Sequence, residues 1–126
     1  VTPLDLAAER TAWNVVGDSR FELGEFAAAE AAYAQVLSRL PAGDAARGSI
    51  EERLAASIYQ QAEAEQRAGD TEAAVAGFLR VAQAAPGSSI RVNATYDAAA
   101  LLLAGEQWER AIPVLQEFRR EFPEHP

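Results

Sequence analysis

The sequence predicts an all-α chain: six helices paired into three hairpins and stacked as a short solenoid. Three observations carry the prediction. The composition favours helices, one residue pattern recurs three times in register, and start and stop signals agree with that pattern.

Nearly a quarter of the 126 residues are alanine, Leu, Glu, Arg and Gln are common, and β-branched residues are sparse. Such residues lose little freedom on entering a helix. A chain of this length holds one domain with its own core and is too short for two ordinary ones.

The repeated pattern is carried by Gly24-Glu25-Phe26 with Ala29, Tyr33 and Pro41; by Gly69-Asp70-Thr71 with Ala74, Phe78 and Pro86; and by Gly105 and Trp108 with Ala111, Leu115 and Pro123. In each, the alanine, the large apolar residue and the proline are four and then eight residues apart, and a small residue (Gly17, Ala62, Ala99) stands twelve before the alanine. Antiparallel helices approach closely only where both carry small side chains. The expected pairs are Gly17 with Ala29, Ala62 with Ala74, and Ala99 with Ala111, with Tyr33, Phe78 and Leu115 filling the gap toward the next hairpin.

The elements follow in order. A capping box, Thr2-Pro3-Leu4-Asp5, opens a helix near 3–22; Gly24, like Gly69 and Gly105 in the later pairs, ends the first helix of its hairpin, where a left-handed conformation costs glycine little. The second helix, near 26–40, stops before Pro41, since proline disfavours helical geometry in the preceding residue. Residues 42–48 form a small, polar, flexible insert, and Ser49-Ile50-Glu51-Glu52 reads as a capping box for a third helix near 50–68. Asp70 or Thr71 caps a fourth near 71–85, and Ser88 or Ser89 a fifth near 89–104. The sixth, near 107–122, contains Pro113, which removes one backbone donor and predicts a kink.

These residues resemble the tetratricopeptide repeat family. Trp13, Val16, Gly17, Gly24, Phe26, Ala29, Tyr33 and Pro41 are similar to its consensus in type and spacing. The second unit departs at Ile58 and Thr71, and the third at Thr95, with one extra residue before Trp108. Repeats are expected at about 9–42, 54–87 and 91–124, in a segment of a longer protein. The prolines lie 45 and 37 residues apart, against a usual period of about 34. The segment endings Ala85-Pro86-Gly87-Ser88 and Glu121–Pro126 are similar to those of bacterial envelope members, including outer-membrane assembly lipoproteins and Tol–Pal partners. This tilts the expected location toward the periplasm or cell envelope.

The resemblance implies a right-handed superhelix whose concave face is lined by the first helix of each pair. Carried over by position, that face holds Asn14, Asp18 and Phe21, then Tyr59, Glu63 and Gln66, then Asn93, Tyr96 and Leu103, with Thr11, Ala56 and Ala100 between them. The implied partner is an extended peptide or a protein helix, for which tyrosine offers contact area at small entropic cost. A bland alternative is that Tyr59 and Tyr96 pack between hairpins. Chaperone-binding members hold a peptide carboxylate with a cationic clamp. The matching positions here are Asn14, Asp18, Gln60, Asn93 and Asp97, so that partner class is not expected. A competing reading is a structural spacer or self-assembly segment, with a homodimer formed through an uncapped C-terminal end.

Other functions fit poorly. Nineteen acidic against eleven basic residues, all arginine, give a net charge of −8, the wrong sign for nucleic acid or anionic membrane. No apolar run approaches the roughly 20 residues that span a bilayer. Cysteine is absent, and no phosphate loop, metal-ligand spacing or nucleophile–base grouping is present, so neither catalysis nor a cofactor is expected. The only histidine, His125, reads as a tail residue.

Overall fold

The computed structural model describes residues 3–124. Thr2, half of the first predicted cap, and His125 lie outside them. Six helices follow one another: α1 (Pro3–Glu22), α2 (Phe26–Ser38), α3 (Arg47–Arg67), α4 (Thr71–Ala84), α5 (Ile90–Ala104) and α6 (Trp108–Glu121). Each helix packs on the next, and α3 also packs directly on α5, so the first helices of the second and third hairpins lie side by side. The result is a solenoid of helical hairpins, with no strand among the described residues.

Each hairpin turns in the same way. Glu25, Asp70 and Gln107 donate their backbone N–H to the carbonyls of Arg20, Glu65 and Leu102, closing the wide loop that ends a helix when the residue before is left-handed. That residue is Gly24 (φ +78°), Gly69 (φ +86°) and, in the third hairpin, Glu106 (φ 58°). Gly105 is therefore not the left-handed residue expected; its φ is −87°. The extra residue before Trp108 moves the turn by one position, and Glu106 takes the conformation that suits glycine.

The core follows the repeat. Ala29, Ala62, Ala74, Ala99 and Ala111 are buried, as are Tyr33 and Phe78. The third large residue departs: Leu115 is only half-buried, and Phe118 is the buried aromatic of α6. No described helix packs beyond α6 to cover Leu115. Tyr33 lies over Gly17 within its own hairpin and also lines a cleft shared with Arg53 and Ala56 of the next one. A close approach that the pattern did not flag is Gly77 on Ala62, where an added β-carbon would come within 2.9 Å of the Ala62 β-carbon.

One cap differs from expectation. Helix α3 begins at Arg47, so Ser49 lies inside the first turn rather than ahead of it. The segment before it is a turn in which the Asp44 carboxylate accepts the Ala46 N–H at 2.8 Å. Arg47 donates to the carbonyls of Leu37 and Leu40, both at 3.0 Å, supplying the cation that the exposed end of α2 favours. At α4, Asp70 is the cap, accepting from Ala73 N–H at 3.1 Å. At α5, Ser88 accepts the Ile90 N–H at 3.0 Å, while the Ser89 hydroxyl turns away to Glu52. Helix α6 continues through Pro113.

Candidate protein-binding face

The first helices α1, α3 and α5 carry all nine residues assigned to the binding face, and the structure divides them into two groups. One group is tied into the fold. Tyr59 packs its ring on Phe78, centroids 5.1 Å apart, and donates its hydroxyl to Asp97 Oδ2. This bond links α3 to α5. Asp18 accepts the Tyr33 hydroxyl on Oδ1 at 2.6 Å, and the same oxygen faces Arg53 Nη1 at 3.6 Å. Asn14 Oδ1 accepts from Arg53 Nη1 at 3.1 Å. Phe21 is half-buried, edge-on to Phe26 at 5.0 Å.

The second group is more open. Gln66 and Asn93 are exposed, Glu63 is half-buried, and Tyr96 and Leu103 expose 52% and 37% of their surfaces. Tyr96 lies beside the Phe118 ring, centroids 6.2 Å apart.

Burial and the bonds to carboxylates push the ionisation of both tyrosines well above the usual 10: burial first, then the acceptor, Asp18 for Tyr33 and Asp97 for Tyr59. Both remain neutral donors through the physiological range.

Arg53 is the residue that sequence reasoning missed. It lies one turn ahead of Ala56, on the longer α3, where the repeat pattern begins too late to include it. Stepping the groove spacing back by three residues from Ala56 would have found it.

A cleft of about 430 Å³ opens between α1 and α3, lined by Asp18, Phe21, Glu22, Tyr33, Glu52, Arg53 and Ala56. Within it Glu52 accepts the Ser89 N–H and hydroxyl, each at 2.7 Å. Those bonds hold its carboxyl below the usual range and place an anion at the start of α5, where the helix dipole favours it. A smaller cleft of about 250 Å³ lies between α4, α5 and α6, apolar at Leu79, Val114 and Phe118.

Further bonds fix neighbouring hairpins to each other. Glu30 of α2 receives Arg80 of α4 and, at 2.7 Å, Gln61 of α3. Burial alone would raise the ionisation of Glu30; the Arg80 and Gln61 bonds outweigh it and hold the carboxyl below its ordinary value. Arg110 of α6 reaches Glu72 of α4 at 2.7 Å. The relative placement of the first helices is thus set by several independent links.

Against this geometry, a tetratricopeptide repeat family model matches residues 56–88 and 94–125, more than half of the chain. The chain belongs to the tetratricopeptide repeat family. The matched segments fall on the second and third hairpins, and the first repeats their turn and buried alanine without being covered. No curated protein and no solved structure gives a match. Tetratricopeptide repeats are generally non-catalytic and point to a protein–protein interaction scaffold. Among the described residues no helix is long and apolar enough to cross a membrane.

Proposed function

We propose that this tetratricopeptide repeat chain is a non-catalytic scaffold that holds a peptide or protein segment along the face formed by α1, α3 and α5. The observation that supports the reading is that the cleft at Asp18 and Phe21 and the exposed Gln66, Asn93, Tyr96 and Leu103 all belong to the first helices of the hairpins, α1, α3 and α5. Rigid helices present these side chains, so a guest need not order them on binding. Tyr59 and Asn14 act by setting the spacing of the repeats, while the open residues, with the exposed Asp18 at the cleft, make the contacts.

A photo-crosslinking residue in place of Tyr96 or Gln66, compared with one at exposed Gln83 of α4, tests this in the cell of origin. Specific adducts from the first two positions and none from Gln83 are expected. Adducts from Gln83 alone would end the reading.

A second reading has its own observation. Trp108 and Ile112, four residues apart on α6, are 52% and 51% exposed, an apolar stripe that favours self-assembly. Light scattering across a concentration range checks it: a dimer that Trp108→Asp dissolves supports self-assembly, and a strict monomer rules it out. An envelope location remains part of the proposal, resting on the resemblance of the segment endings.

A further inference from the structure

The cleft between α1 and α3 has an unbalanced electrostatic lining. Asp18, Glu22 and Glu52 face one cation, Arg53. Arg53 is engaged by Asn14 and by Oδ1 of Asp18. Both Asp18 contacts fall on Oδ1, and half of the Asp18 side chain is exposed beside the cleft. Among the described residues the Glu22 side chain makes no hydrogen bond or ion pair, and it is exposed. Asp18 and Glu22 stand four residues apart, on one face of α1, where like charges disfavour each other unless a cation lies between them. Phe21 and Ala56 add apolar surface beside this pair.

We propose that this cleft receives an arginine or lysine side chain from an extended segment of the partner protein. Asp18 Oδ2 and Glu22 take the charged head; Phe21 and Ala56 cover its methylene stem. The chain's net charge of −8 draws such a segment in from a distance. Arg53 then acts as a positioning residue: it holds Asn14 and Asp18 Oδ1 and leaves the second Asp18 oxygen for the guest. The inference rests on the scaffold reading and deepens it by naming the chemistry of the guest.

The probe is a blocked, extended peptide with arginine at alternate positions, titrated into isotope-labelled chain and followed by backbone amide shifts. Matched peptides carry glutamate or alanine at the same positions. The arginine peptide is expected to move the amides of Asp18, Phe21, Glu22 and Ala56, and to bind several-fold more weakly when salt rises from about 0.05 to about 0.5 M. Glu22→Gln, at an exposed side chain, should weaken that peptide about fivefold or more while leaving the melting temperature unchanged. Glu22→Arg should reverse the preference toward the glutamate peptide. Equal shifts from the alanine peptide, preference of the unaltered chain for the glutamate peptide, or no shift at these four residues would each overturn the proposal. The crosslinks from Tyr96 and Gln66 report on the scaffold reading independently of all three outcomes.

Discussion

The ring of Tyr33 lies so close over Gly17 that a β-carbon on the glycine would come within 2.7 Å of the ring edge. The two residues belong to α2 and α1, and the same ring donates to Asp18, next to Gly17, at 2.6 Å. One small residue thus admits an aromatic ring, and its neighbour accepts the hydroxyl.

Gly17→Ala should therefore destabilise the chain by about 1–3 kcal/mol, the usual cost of overpacking a filled contact. That outweighs the few tenths to one kcal/mol that alanine normally gains over glycine within a helix. Urea unfolding of both proteins checks it, and a more stable variant would refute the close packing.

The third hairpin holds a residue in the wrong conformation for its type. Glu106, at φ 58°, occupies the position of Gly24 and Gly69. Glu106→Gly should stabilise the chain by about 1 kcal/mol, because a left-handed residue with a β-carbon carries a cost of that order. Gly69→Ala should destabilise by a similar amount. Thermal melts of the pair should move in opposite directions.

Acid should loosen the contacts between hairpins. Glu30 and Glu52 both ionise below their ordinary 4.5 in the fold. A depressed carboxyl contributes stability above its unfolded value and loses it as pH falls through the folded one. Stability should hold at neutral pH and decline once the pH drops below 4.5. In Glu30→Gln and Glu52→Gln that decline should be shallower, measured as melting temperature against pH. An unchanged slope in both would count against these links.

Alkali acts on the tyrosines with the opposite sign. Tyr33 and Tyr59 ionise above their ordinary 10 in the fold, so the folded chain keeps protons that the unfolded chain releases. Their contribution is complete below 10 and falls as pH rises beyond it. Tyr59→Phe should cost about 1 kcal/mol at neutral pH through the lost bond to Asp97, and should flatten the alkaline decline. Because that bond joins α3 to α5, hydrogen exchange in α5 should also rise more than in α1.

Much of the architecture was legible because it is written locally. The alanine–aromatic–proline spacing located the six helices, and five of the six begin within a residue of where they were expected. The exception, α3, starts at Arg47 because that arginine finds the carbonyls of Leu37 and Leu40, a contact that no cap rule anticipates. Gly105 misled for a related reason. A conspicuous glycine marked the turn, but one inserted residue shifted the left-handed position to Glu106.

The candidate site was legible only as a set of positions. Periodicity chose the faces of α1, α3 and α5, yet it could not tell a contact residue from a spacer residue. Tyr59 and Tyr96 look alike in sequence; one is bound to Asp97 and packed on Phe78, the other is half open.

By itself, then, the order of residues determined the helices, their pairing and the small-to-large register that lets them nest, since each depends on neighbours within a turn or two. Tertiary structure decided which polar groups are consumed and which remain available. Arg53 meets Asn14 across 39 positions, and Tyr59 meets Asp97 across 38. Such partners are chosen by the distance between helices after stacking, a quantity that no local pattern carries.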